Sequence, residues 1–221
     1  MNNTLGLILC FTYIFAMIGL AEGLRRRRGY GSSFTRKVIH IGVGMMSWFI
    51  PFLFTSPWPF VAACAAFMVI NLLDWRYGFI SAMQSSSRSN LGTVYFPLAA
   101  AVVALVFWEQ PPLMVAALMP LTWGDGLAPV IGAAYGKRIY RIHTSTRTLE
   151  GSAGFFVAGF VFTWLALWVV PGLPDITPAA ALLPALTIMA VTTLIEAVSI
   201  WGLDNLTVTA AAMLILRAWP F

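Results

Sequence analysis

Four carboxylates stand where an apolar chain should not tolerate them. Asp125 lies between two glycines in "LTWGDGLAPVIGAAYGKRIY", Glu150 lies in "TRTLEGS", and Glu196, Asp204 and Asn205 share "IEAVSIWGLDNLTV". Asp125 and Glu196 fall inside apolar runs. A mid-helix carboxylate in lipid costs roughly 2.5–3.5 kcal/mol on insertion scales, so each must face a cavity, a partner or an ion. The cations gather too. Arg36, Lys37 and His40 lie three and four residues apart, on one helix face, and Lys137, Arg138, Arg141, His143 and Arg147 form a compact basic loop. The oxygen ligands Asp125, Glu150, Glu196 and Asp204 suit a hard cation such as Mg2+, which favours phosphate company. Without a Cys/His cluster or HExxH, zinc is disfavoured. Phosphate contacts are expected from Arg36, Lys37, Lys137 and Arg147, with Asn205 beside them.

Backbone groups add to this chemistry. If Gly151 and Ser152 open a helix, their N–H groups and the positive dipole end face the same basic loop. Glu150 beside phosphates then requires a bridging divalent cation. Ala128, Gly132 and Gly136 recur every four residues. That spacing reads equally as a helix-packing face or as close approach of a phosphate chain to Gly132 and Gly136. It is not a P-loop, because the spacing to Lys137 is short and no strand precedes it. His40, one turn into the membrane, is a candidate for phosphate contact or proton handling. Asp204 either caps the last helix or joins that work.

The elements that must position these groups are membrane helices. The 221 residues are 60% hydrophobic and 10% charged, with a mean hydropathy of +0.84; a soluble domain would carry roughly 25% charged residues. Continuous apolar runs favour helices over a barrel. The expected fold is all-α and polytopic: one integral membrane domain over 1–221, with spans near 4–22, 38–55, 58–73, 93–108, 111–135, 152–170, 177–200 and 205–219. Gly124, Gly126 and Pro129 predict a broken helix near Asp125, of the kind that lines polar cavities in membranes. Twelve of the thirteen Lys and Arg residues fall in 23–37, 74–92 and 136–151. Eight spans place all three segments on one side, which the positive-inside rule makes cytoplasmic, with both termini outside. The net charge of +5 therefore sets topology, and no nucleic-acid partner is expected. "MNNT" lacks the basic start of a signal peptide, so the first span reads as an uncleaved anchor. Cys10 and Cys64 read as apolar packing residues rather than a disulfide or metal pair.

The ordered set "RKVIH" (36–40), "GTVYFPLA" (92–99), "GDGLAPVIGAAYGK" (124–137), "RTLEGS" (147–152) and "LIEAVSIWGLDNLTV" (194–208) resembles the dolichol kinase and phytol kinase family. That family includes the CTP-using diacylglycerol kinase of fungi, and is more distantly similar to CDP-diacylglycerol synthases. Arg147 stands where the family usually has Lys, and Asn90 where an acidic residue is common. The resemblance implies that CTP donates its γ-phosphate to the hydroxyl of a membrane lipid alcohol, with much of the nucleotide site between Asp125 and Glu150. Asp125 would be the first metal ligand and Glu150 the second; His40 or Asp204 would accept the hydroxyl proton. A homodimer is compatible with the sequence.

Two other classes compete. A CDP-lipid-forming cytidylyltransferase would use the same nucleotide and metal but attack the α-phosphate; "GLDNLTV" and the lack of a second acidic cluster near the end favour the kinase. An ion-coupled transporter would place polar groups near the bilayer midplane, whereas here they gather toward one face.

Overall fold

A computed structural model describes residues 2–83, 90–142 and 145–221; Arg88 and His143 lie outside them. Helical segments occupy all eight expected stretches, and among the described residues five helices are long and apolar enough to cross a membrane. The chain runs α1 (Asn3–Arg28), α2 (Ser32–Met45), a 3-10 turn (Met46–Trp48), the single turn α3 (Ile50–Leu53), α4 (Pro57–Tyr77) and α5 (Gly92–Phe107). It continues through α6 (Pro111–Met119), a π-helical stretch (Pro120–Asp125) and α7 (Gly126–Tyr135). Strands β1 (Ile139–Ile142) and β2 (Ser145–Thr148) precede α8 (Leu149–Val169), α9 (Pro178–Val198) and α10 (Asp204–Ala218).

The central element is the 25-residue run from Pro111 to Tyr135, 67% buried over its most apolar window against 17% for α1. Small and flexible side chains make this burial achievable: Val115, Ala116, Ala117 and Met119 are fully enclosed. Helix α8 lies along the run, and its glycines permit the approach: a Cβ on Gly151 would lie 2.9 Å from the Ala128 carbonyl and one on Gly154 2.4 Å from the Ile131 side chain. The interruption expected at Asp125 takes the form of a widened π-helical turn inside continuous helix. Such turns are common at functional sites. Trp123 pins this one, stacking on Phe162 of α8 at 3.8 Å and donating its indole N–H toward Met45 Sδ of α2 at 3.0 Å.

Helix α2 begins at Ser32, ahead of the apolar run that starts near 38, so Arg36 and Lys37 are helical residues rather than flanking ones. The basic loop is a β-hairpin, with Ile139 opposite Thr148 and Arg141 opposite Thr146.

Candidate active site

Asp125 is held at the end of the π-helical stretch by side chains from α2. Lys37 Nζ donates to Asp125 Oδ2 at 2.8 Å and to the Asp125 carbonyl at 2.7 Å. His40 Nε2 lies 3.4 Å from the same carboxylate oxygen and 2.8 Å from the Leu121 carbonyl. A carbonyl only accepts, so Nε2 carries the proton and Nδ1 remains the accepting nitrogen. The Phe96 ring packs edge-on against the imidazole at 4.9 Å. The three side chains retain 18%, 13% and 14% exposure for Lys37, His40 and Asp125, enough for a ligand to reach them.

The second wall comes from the start of α5 and the turn between α9 and α10. Arg36 Nη2 donates to Asn90 Oδ1 at 3.2 Å, which also accepts the Gly92 N–H at 2.9 Å. Asn205 Nδ2 donates to the Gly202 carbonyl and to Asp204 Oδ1. Gly202 has a left-handed φ of +83°, and a Cβ on it would sit 2.5 Å from Gly92 N. Gly92 is equally confined: a Cβ there would meet Asn205 Nδ2 at 2.9 Å and Arg36 Nη2 at 3.3 Å. Two glycines thus let three chain segments converge. Asp204 stands just before the apolar stretch of α10. Burial first, and then the Asp125 charge, raise its carboxyl above the ordinary carboxylate range, against opposing pulls from Lys37 and Arg147.

The hairpin supplies the third wall. Arg147 pairs with Glu196 of α9, donates through Nη2 to the Ser199 carbonyl at 2.8 Å, and lies 4.0 Å from Asp204. Its Nε has no hydrogen-bond partner among the described residues. At the base of the hairpin, Glu150 accepts the Lys137 and Arg138 N–H groups at 3.1 and 3.2 Å. Thr148 caps α8 by accepting the Gly151 N–H at 3.0 Å. The Leu149 N–H is likewise taken, by the Arg138 carbonyl. The start of α8 therefore offers an anion fewer free N–H groups than the sequence predicts. The glycine spacing also finds its contact in Thr148: a Cβ on Gly132 would approach Thr148 Oγ1 at 2.9 Å, and one on Gly136 would approach Thr148 Cγ2 at 2.6 Å.

These walls enclose a polar cavity of about 630 Å³. Of the expected residues, Arg36, Lys37, Asp125, Gly132, Arg147, Gly151, Ser152, Glu196, Asp204 and Asn205 line it. Glu150, Gly136 and Lys137 do not; they flank the hairpin that bounds it. Asn90 and Gly202 also line it, and Tyr140 supports it by sharing a 2.7 Å hydrogen bond with Ser152. Sequence reasoning did not assign these three to the site, although a glycine two residues before Asp204, where α10 starts, is a turn signal. A second, apolar cavity of about 130 Å³ is lined by Arg36, Lys37, Asp125 and Asn205 as well. His40 lines only this second one.

The chain is similar to a phytol kinase of Synechocystis, 29% identical over 213 residues, covering 96% of this chain and 89% of the relative. It is also similar to a probable chloroplastic phytol kinase of Glycine max, 30% identical over 224 residues, with 90% and 71% covered. The chain belongs to the phytol kinase family. A probable chloroplastic phytol kinase of Triticum aestivum matches at 26% identity, over 91% of this chain and 72% of the relative. No family model and no solved structure matches. The phytol kinase relatives span almost the whole chain, so both cavities belong to a region that is similar throughout rather than in one isolated motif.

Proposed function

We propose that the protein is a membrane lipid kinase that transfers the γ-phosphate of CTP to the hydroxyl of phytol or a similar isoprenoid alcohol at the cytoplasmic face. One observation carries this reading: Arg36, Lys37, Asp125 and Asn205 border both cavities. A triphosphate held on the polar side and a greasy alcohol arriving on the apolar side meet at those four groups. The names of the relatives support phytol as acceptor, and the family resemblance supports CTP as donor.

Phosphoryl transfer needs positioning and charge stabilisation more than covalent help from the protein. Arg36, Lys37 and Arg147 are the cations placed to neutralise phosphate oxygens. The alcohol oxygen attacks the γ-phosphorus, the bond to the β-phosphate oxygen breaks, and CDP leaves with that electron pair. His40 faces the apolar side with Nδ1 as its accepting atom, so it is the group we assign to receive the hydroxyl proton. Asp204 borders only the polar cavity and stays with the nucleotide. Among the described residues no three acidic, His or Cys side chains come together closely enough to hold a metal alone. Mg2+ commonly takes one or two carboxylates plus substrate phosphates; Asp125 and Asp204, which line the same polar cavity, are the carboxylates we assign to it. Held there, Mg2+ would supply positive charge to offset that of the phosphates.

The test supplies purified protein with phytol and CTP labelled at either the α or the γ phosphorus. Label from the γ position in phytyl phosphate, lost on chelation of Mg2+, is expected. Label from the α position in the lipid would replace this reading with cytidylyl transfer, and no turnover with any alcohol would refute both.

A further inference from the structure

We propose that the apolar cavity holds the hydrocarbon chain of the acceptor and that its closed far end limits that chain to about the length of one membrane leaflet. This deepens the kinase reading and rests on it for the identity of the alcohol. The cavity has a direction. At the polar end stand Lys37, His40 and Asp125; at the other stand Cys10, Ile50, Phe60 and Cys64, drawn from α1, α3 and α4. The thirteen residues from Lys37 to Ile50 carry the wall about 20 Å at helical rise. Half of a hydrocarbon core of ~30 Å is comparable.

The far end is lined by residues with almost no exposure, Cys10, Ile50 and Cys64, and helix packing continues behind them. Behind them α1 presses on the end of α3 so closely that a Cβ on Gly6 would lie 2.7 Å from the Leu53 carbonyl and 2.8 Å from the Phe54 ring. Ile50 and Cys10 are each 1% exposed. The bore is narrow, about 130 Å³ against roughly 300–1,000 Å³ for common ligand sites. It suits one slender chain, not the two of a diacylglycerol. Met46 and Met83 in its wall are adaptable enough to yield around methyl branches. About three-quarters of the way along lies Ser47, 5% exposed, whose hydroxyl has no hydrogen-bond partner among the described residues. Ten residues beyond Lys37, it marks a depth of about 15 Å.

Two experiments test this, one of which does not depend on catalysis. Wild-type protein without nucleotide is photolysed with a geranylgeraniol analogue bearing a diazirine on its terminal isoprene unit, and adducts are mapped by mass spectrometry. Adducts at Cys10, Ile50 or Cys64 are expected. Adducts confined to outward-facing residues such as Phe15 and Leu72, or none, would overturn the chain site even if phytol is phosphorylated. Conversely, adducts in the bore without phosphorylation of any alcohol would leave the chain site standing and refute the kinase. In the second experiment, Ser47→Leu fills the bore at that depth without breaking a hydrogen bond. Its kcat/KM for phytol and geranylgeraniol should fall at least tenfold while that for geraniol is retained. Equal losses across the series, or none, would overturn the length limit, and Cys64→Phe at the far end should spare farnesol by the same logic.

Discussion

Arg147 faces a buried carboxylate, lines the polar cavity, and on our proposal also serves the nucleotide phosphates. A double substitution separates the pairing from the phosphate role. Replacing Arg147 with Met leaves Glu196, only 4% exposed, as a buried charge with no partner of opposite sign. Breaking such pairs costs about 3–5 kcal/mol. Arg147 keeps 18% side-chain exposure, so the lower end, about 3 kcal/mol, applies. At ~2–4 °C per kcal/mol for a chain of this size, the melting midpoint in detergent should fall by about 6–12 °C. Replacing Glu196 with Leu in the same chain removes the stranded charge and should restore most of that midpoint, because apolar replacement of a buried pair is often neutral. Phytol phosphorylation should remain down by about 10²-fold or more in both the single and double variants, the scale of losing one preorganised donor to a developing charge. Size-exclusion-monitored melting and initial rates with γ-labelled CTP read the two quantities separately. If activity returns together with stability in Arg147→Met/Glu196→Leu, Arg147 is a latch for the hairpin and the phosphate role fails.

Three further outcomes follow from the same geometry. Lys37→Met should abolish turnover by more than about 10²-fold in kcat, and Lys37→Arg should not rescue it, because one ammonium reaches both the Asp125 carboxylate and its carbonyl; a fully active Arg variant would refute that requirement. Gly202→Ala should cost about 1–3 kcal/mol through its left-handed backbone alone, with the contact at Gly92 N added, whereas Gly29→Ala, at φ +71° with open space around it, should lose only the backbone part in the same melting assay. Asp204→Asn should change the pH dependence of stability. The folded carboxyl titrates above its unfolded value, so the native state binds more protons and wild-type stability falls as pH rises from about 4 through the raised value; the Asn variant should gain on wild type across that window and hold a constant lead above it. A pH-independent difference in midpoint would show that Asp204 is not desolvated as described.

Most of the framework could be read from one sequence because the bilayer imposes it: long apolar runs must be helical, and the cations mark their ends. The clustering of Lys37, Asp125, Glu196 and Asp204 was readable for the same reason, since charges that lipid rejects must find one another. What could not be read was which charges would pair inside the cluster. Glu150 and Arg147 sit three residues apart, yet they serve different neighbours: Glu150 braces the hairpin through two backbone N–H groups, and Arg147 turns to α9. The alternation of "IYRI" and "STRT" is brief, and without an Asn-Gly or Asp-Gly turn the hairpin gave little local signal. Gly132 and Gly136 had two readings, and only the position of Thr148 shows what sits against them.

The pairing pattern bears on how the site is loaded. Each cation proposed for phosphate already has a protein oxygen as partner: Lys37 the Asp125 carboxylate, Arg36 the Asn90 amide, Arg147 the Glu196 carboxylate. A triphosphate entering the cavity therefore competes with those oxygens rather than filling bare positive charge. Repulsion between its phosphates and Asp125 or Asp204 is relieved if Mg2+ arrives with it, since the metal turns those carboxylates from opponents into ligands. Nucleotide and metal should then bind with strong mutual dependence, each weakly alone. Calorimetric titration of CTP with and without Mg2+ reads this directly. Equal affinity in the two titrations would mean that Asp125 and Asp204 do not face the phosphates, and the shared junction would lose its role in transfer.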